Sequence, residues 1–249
     1  MKPSSPLRIK TYMFKHGNIN KITRRSFFKI SLAFAGLILN VPLRYLGAGV
    51  LEAGVKNFFP TRKNPLIIDE KNRSVSLYTE INPENLYKSN PHCGVVFKDG
   101  KLADKGILKA YAHHIDFYNA LIQIGKKQGN NLSKDNTDEY VKGDELIVTA
   151  TWQGLNKELS LNDIFFDSTG KGFKIRFGGN KIAAAEENTG CITCLESCWV
   201  GITSNAVYPN ISSFKRMFSP NSHFRGNTDV LPHEDYSPVV LIYRLKKKQ

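Results

Sequence analysis

Three of the four cysteines in this 249-residue chain lie within eight residues, in the stretch TGCITCLESCWVG. Cys191, Cys194 and Cys198 have the spacing C-x2-C-x3-C, which matches the second half of the C-x2-C-x2-C-x3-C-P run of bacterial ferredoxins. The first pair can bring two sulfurs to one metal from a tight turn, and the third sulfur follows on the next turn of backbone. Because an all-cysteine iron–sulfur or zinc site takes four thiolates, Cys93 is the predicted fourth ligand.

The four cysteines allow three interpretations. The first is a [4Fe–4S] cluster held by Cys93, Cys191, Cys194 and Cys198, with the imidazole of His92 as a substitute for one thiolate. The second is a pair of disulfides, or one disulfide and a redox-active C-x2-C pair. The third is a structural zinc ion held by the same four cysteines. A thioredoxin-like role for Cys191 and Cys194 is disfavoured, because this C-x2-C does not begin a helix in a βαβ unit.

The N-terminal segment predicts export. Residues 23–29 read TRRSFFK, the twin-arginine pattern, and the 14-residue apolar stretch 30–43 is shorter than the span of about 20 residues that crosses a bilayer. Residues 1–59 are therefore predicted to be a twin-arginine signal, recognised by the twin-arginine translocase, or an N-terminal anchor that uses residues 30–43. The protein is expected in the periplasm or on the outer face of the cytoplasmic membrane.

The charge distribution argues against a nucleic-acid partner. The net charge is +13, and ten basic residues against one acidic residue in the first 59 positions account for +9 of it. The remaining +4 leaves the body close to neutral, without a strongly basic face for a phosphate backbone. No G-x-S-x-G or H-E-x-x-H motif occurs, so a non-enzymatic electron carrier or binding module is expected.

Residues 60–249 are predicted to form a single α+β domain. Apolar residues recur at helical spacing over 105–124, with Asp104 as the N-cap and Gly125 as the terminator. Strands are predicted in the following stretches: SVSLYTEI, CGVVF, DELIVTATW, KGFKIRFGGN, SCWVGITSNA and SPVVLIYRL. The sequence therefore predicts a mostly antiparallel sheet or sandwich, with one long amphipathic helix packed on it.

Several stretches resemble the YdjY-like domain family in the same order along the chain: HCGVVFKDGKLADKG, FYNALIQIGKKQGNNL, IRFGGN, TGCITCLESCWVGITSNA, FRGNTDVLP and SPVVLIYRL. The resemblance covers residues 68–245 and implies an exported bacterial protein of ferredoxin-like or iron–sulfur type. Trp199 stands where the ferredoxin signature has proline. The resemblance implies electron transfer through an iron–sulfur cluster, to or from a membrane-bound respiratory partner. The alternative is a disulfide-stabilised extracytoplasmic binding or scaffold module.

Overall fold

The computed structural model describes residues 59–90, 92–210 and 224–246. The predicted twin-arginine motif and the apolar stretch 30–43 lie outside these residues. Within the described part of the chain, no helix has the length and apolar character that crossing a membrane requires.

The described residues form twelve strands and four short helices. In chain order the elements are β1 (Leu66–Asp69), β2 (Ser74–Ile81), α1 (Pro83–Leu86), β3 (Cys93–Phe97), β4 (Leu108–Ala110), α2 (His114–Gln123), β5 (Leu146–Thr151), β6 (Leu159–Ser160), α3 (Leu161–Ile164), β7 (Phe165–Asp167), β8 (Ile175–Phe177), α4 (Lys181–Glu187), β9 (Cys191–Cys194), β10 (Thr203–Asn205), β11 (Phe224–Gly226) and β12 (Pro238–Leu245).

One curled, ten-stranded sheet dominates the fold. Its strand order is β6-β5-β12-β2-β4-β3-β9-β10-β8, and β1 pairs with β2 beside this path. Most neighbours are antiparallel, but β3 pairs with β4 and β9 with β10 in parallel. Strands β7 and β11 form a separate two-stranded sheet. The order places β9, which carries two of the clustered cysteines, between β3 and β10.

The core lies between the main sheet and helix α2. Along β12, alternate residues Val239, Leu241 and Tyr243 are completely buried in this core, as the two-residue period of a strand requires. On α2, Phe117 packs its ring edge-on to Tyr243, with the ring centroids 4.7 Å apart. The sheet that carries the cysteines therefore rests on a continuous apolar layer.

The predicted α+β fold with a long helix over 105–124 is wrong. The fold is mostly β, and the helix in this region is α2, which has ten residues. Leu108 begins β4 and Ile107 comes immediately before it, and both contribute to the core. Strand β4 lies between β2 and β3 in the sheet. The N-cap of α2 is His113, whose Nδ1 accepts a hydrogen bond from the Ile115 N–H, rather than Asp104. The apolar residues at 107, 108 and 111 fit one face of a helix, but hydrogen bonding to β2 on one side and to β3 on the other makes residues 108–110 a strand.

Lys126, just after α2, is buried at an energetic cost that a substitution will reveal. Its side chain is 3% exposed, and its Nζ has no hydrogen-bond partner among the described residues. Burial lowers the pKa of Lys126 to about 8; the charge of Arg73 acts in the same direction and that of Asp144 opposes it. We expect Lys126→Met to raise the free energy of unfolding at pH 7 by about 1–3 kcal/mol, because it removes an unpartnered buried charge.

The pH dependence of this effect follows from the direction of the shift. A lysine whose folded-state pKa lies below its ordinary value of 10.5 destabilises the fold when it is charged, so its cost grows as the pH falls from 10.5 and is complete below about 8. The gain from Lys126→Met is therefore full below pH 8 and vanishes above pH 10.5, which urea denaturation at several pH values will measure. Lys127→Met is the exposed control and should change stability by less than about 0.5 kcal/mol. An equal gain in both variants would refute this account of Lys126.

Candidate metal centre

Irregular pairing between β3 and β9 brings Cys191 and Cys194 together. In a regular strand, residues three apart point to opposite faces. The register runs Val95 to Thr193 and then Val96 to Cys191, so Ile192 is an extra residue on β9. Ile192 packs into the main core, whereas Cys191 and Cys194 lie with Cys198 in a separate buried cluster. We refer to these three cysteines as the thiol cluster.

Cys198 joins the thiol cluster from the loop between β9 and β10, and three side chains fix this loop. Asn180 Nδ2 donates to the Cys198 carbonyl at 3.2 Å, and Asn205 Nδ2 donates to the Leu195 carbonyl at 3.0 Å. Ser197 Oγ accepts from the Val141 N–H at 2.9 Å and donates to the Asn205 carbonyl at 3.2 Å. The loop is thus held by hydrogen bonds that do not involve the thiols, which leaves the thiols available to a ligand.

His92 completes a convergent set of donor atoms. One ligand atom each from His92, Cys194 and Cys198 lies within 4.8 Å of the other two. The Leu195 N–H donates to the His92 carbonyl at 2.8 Å, which ties the histidine to the start of the Cys198 loop. Nδ1 of His92 is buried and has no hydrogen-bond partner within the described ranges. A buried nitrogen beside two thiols and without a partner is a metal-ligand arrangement.

Cys191 lies against the other two thiols and affects their ionisation. Hydrogen bonds with Cys191 and then Cys198, followed by burial, raise the pKa of the Cys194 thiol well above its ordinary value. The pKa of Cys198 rises to about 11, chiefly through its hydrogen bond with Cys191, while the nearby His92 acts to lower it. Three thiolates would repel one another in this buried site unless a cation balanced their charge.

Gly201 and Ser204 form the wall of the site on the β10 side. A Cβ at Gly201 would lie 3.0 Å from Cys194 Sγ, 3.3 Å from Cys198 Cβ and 2.9 Å from Ser204 Oγ. Only glycine allows the backbone to approach this closely. Ser204 is completely buried, and its Oγ makes no hydrogen bond in the part of the chain that the structure describes. The hydroxyl lies beside Gly201, as Cys194 Sγ does.

These residues fit a thiolate-bound metal. Ligands at about 2.0–2.3 Å from one ion are at most about 4.6 Å apart, close to the spacing seen here. The converging donors are two sulfurs and one imidazole nitrogen, and Cys191 packs against the two thiols. With Cys191 as a fourth ligand, the set of three sulfurs and one nitrogen would be typical of tetrahedral iron or zinc. A four-iron cluster is larger than one ion, and it would require the thiols now in contact to move apart.

Cys93 lies beside this site but outside the convergent set. It is 3% exposed on β3, directly opposite Cys194, and its sulfur is not among the three donor atoms that approach one another. All four cysteines are buried free thiols. Of the four predicted cysteines, Cys194 and Cys198 have donor atoms that converge, together with His92, the imidazole that the sequence offered as a substitute for one thiolate, and Cys191 packs beside them. The proposed ligand role of Cys93 stays a prediction.

Sequence reasoning missed several supporting residues. Asn180 and Ser204 belong to no recognised motif, and only the pairing of β9 with β10 shows that Ser204 lies opposite Cys194. Thr193, which lies between Cys191 and Cys194 in the sequence, hydrogen-bonds Tyr243 and Thr203 at 2.8 Å each and not the thiols. No local sequence signal shows that Ser204 lies beside the thiols and that Thr193 points away from them, because both placements depend on strand register.

Comparison with known proteins identifies two relationships. A family model described as the YdjY domain matches residues 66–244. The protein named "Uncharacterized protein YdjY" of Escherichia coli (strain K12) is 39% identical over 176 residues, which cover 70% of this chain and 76% of that protein. No solved structure matches.

Proposed function

The chain belongs to the YdjY domain family, and on that premise we propose that it carries single electrons outside the cytoplasmic membrane through an iron centre at the thiol cluster and His92. The observation that carries the proposal is the convergence of His92, Cys194 and Cys198 donor atoms within 4.8 Å. Cys191 is the fourth proposed ligand, because it packs in the same buried cluster as Cys194 and Cys198, although its sulfur is not among the three donor atoms within 4.8 Å.

The choice of iron follows from the donors and their surroundings. Thiolate and imidazole ligands suit iron and zinc, and of these only iron changes its oxidation state. Iron bound here would supply a one-electron couple. The described residues offer no catalytic motif around it, so transfer of electrons to a partner is the simplest use.

The chain's own residues shield the centre while leaving a short path to the surface. Leu102, Ala183 and Trp199 pack against the thiol cluster and exclude water from it. Cys198 retains 7% exposure and His92 is partly buried, so these two lie closest to solvent. Electrons can therefore enter or leave on this side without the centre being open to bulk water. A hydrogen bond from Ser204 to the Cys194 thiolate would stabilise the more negative, reduced state.

The proposed iron centre could contain one iron ion or a four-iron cluster. The close contact of the thiols favours a single ion, whereas the sequence predicts a [4Fe–4S] cluster. A cluster contains acid-labile sulfide and a single ion does not, so sulfide analysis distinguishes them.

The proposed location follows from the N-terminal segment. Arg24 and Arg25 support export in a folded state by the twin-arginine translocase. This route suits a protein that receives its metal in the cytoplasm and works in the periplasm or on the outer face of the cytoplasmic membrane. A membrane-bound respiratory protein is the proposed electron partner.

The test is metal analysis and redox titration of the full-length chain purified without oxygen. We expect stoichiometric iron, with visible absorption from thiolate-to-iron charge transfer that changes reversibly with one electron per centre. Absence of iron, or iron that does not change oxidation state reversibly, would rule out the proposed electron transfer.

A structural zinc ion is the second candidate, and the rigid Cys198 loop favours it. Closed sites with three cysteines and one histidine are common for structural zinc. Stoichiometric zinc without redox activity would establish this candidate in place of the first. The sequence alternative of a disulfide-stabilised binding or scaffold module stays a prediction, and the four free thiols lend it no support.

A further inference from the structure

We propose that Cys93 and Cys194 form a disulfide across strands β3 and β9 when the metal is absent, and that this bond closes the metal site. The inference concerns the metal-free chain and does not depend on which metal the protein carries. It assigns a role to Cys93, the one cysteine outside the thiol cluster.

The backbone geometry places these two residues in a pair suited to a disulfide. Cys93 and Cys194 are directly opposite each other in the antiparallel pairing of β3 with β9. The Cys93 N–H donates to Asn90 Oδ1 at 2.6 Å, and its carbonyl accepts from the Ile107 N–H at 3.0 Å. The Leu195 N–H donates to the His92 carbonyl. The Leu195 bond flanks the pair on one side, as in a non-hydrogen-bonded pair, whose Cα atoms are typically about 4.5 Å apart, while the register shifts at Gly94 on the other side.

That separation lies within the range of about 4.4–6.8 Å that disulfides require. Cys191 and Cys194 are a second possible pair, because the extra residue Ile192 brings them into the same buried cluster, but they are not opposite each other on paired strands. Cys194 and Cys198 are in thiol contact and are the main competing pair. Cys93 and Cys194, unlike these pairs, are opposite each other on two adjacent strands of one sheet.

The bond and the metal compete for Cys194. One cysteine thiolate would attack a small disulfide, such as oxidised glutathione, and form a mixed disulfide. The second cysteine would then displace the remaining small thiol, so that the Cys93–Cys194 bond forms and two molecules of small thiol are released. Oxidation would leave Cys191, Cys198 and His92 as donors and remove the central thiolate. A bound metal would in turn hold Cys194 and prevent the exchange. The chain would thus switch between a metal-bound state and an oxidised, metal-free state.

The experiment starts from the full-length chain, stripped of metal under reducing conditions and then exposed to oxidised glutathione. Remaining thiols are alkylated, and the linkage is mapped by mass spectrometry of peptides. We expect a Cys93–Cys194 linkage in the metal-free sample and none in a sample loaded with zinc beforehand. Cobalt, used as a spectroscopic probe, should bind the oxidised chain more weakly by at least about tenfold, and a thiol reductant should restore binding.

Cys93→Ala is the matched variant, because it removes one partner and leaves the thiol cluster and His92 intact. Its cobalt affinity should no longer respond to oxidised glutathione. A Cys194–Cys198 linkage, an alkylated Cys93 after oxidation, or equal oxidative loss in Cys93→Ala would each overturn the proposal. Because the readouts use zinc and cobalt, a failure here is distinct from the absence of iron in the purified protein.

Discussion

Replacing Cys194 by serine will remove the metal, leaving less than about a tenth of the wild-type content, because serine is a far weaker ligand than thiolate for iron or zinc. Cys194 is completely buried, packs in one cluster with the other two thiols, and belongs to the convergent set with His92. Metal content of the purified variant, measured by atomic spectroscopy, gives the result directly.

Cys93→Ser is the matched control for this prediction. Cys93 is 3% exposed on the neighbouring strand, so both substitutions bury a hydroxyl in a similar environment. We expect Cys93→Ser to keep its metal under reducing conditions, whereas a centre held by all four cysteines would lose it in both variants. Equal loss of metal from the two variants would therefore contradict the ligand set proposed here and restore Cys93 as a ligand.

Gly190→Ala will destabilise the fold and weaken the metal centre together. Gly190 has φ +82° and immediately precedes Cys191, and a Cβ there would lie 2.9 Å from Gly100 Cα and 3.2 Å from the Phe97 carbonyl oxygen. The two glycines let the loop before β9 pass directly against the turn after β3. We expect alanine to lower the free energy of unfolding by at least about 2 kcal/mol, from backbone strain and from the clash.

Gly170→Ala separates these two causes. Gly170 also has a left-handed φ of +71°, but a Cβ there would meet nothing within 4 Å. Its cost should be limited to the backbone preference, about 1 kcal/mol, and metal content should not change. Urea denaturation with metal analysis measures both variants. If the two alanine variants had the same stability and metal content, the close approach of Gly190 to Gly100 would not matter.

The strands were predictable where alternation and β-prone residues agree. The predicted strands SVSLYTEI and CGVVF coincide with β2 and β3, and SPVVLIYRL contains β12. The prediction failed at residues 105–110, where the apolar residues suit either a helix or a strand. Gly106 is the local sign of the correct structure, since a Cβ there would lie 2.9 Å from the Leu108 carbonyl and 3.1 Å from Val96. The contact with Val96 exists only when β3 and β4 are paired, so the sequence alone does not show it.

The candidate site was predictable to the same extent. The spacing of Cys191, Cys194 and Cys198 indicated a common centre, and the structure brings their thiols into contact. Whether His92 or Cys93 joins them depends on the extra residue in β9 and on the hydrogen bond from Leu195 to His92. These are properties of strand register between segments about a hundred residues apart, which local spacing does not encode.

X-ray absorption at the edge of the bound metal in the full-length chain, purified without oxygen, tests the central claim most directly. The ligand set of Cys191, Cys194, Cys198 and His92 predicts an imidazole nitrogen at about 2.0–2.1 Å together with thiolate sulfur at about 2.3 Å. The nitrogen signal should disappear in His92→Ala. A shell of sulfur alone, unchanged in His92→Ala, would contradict the account.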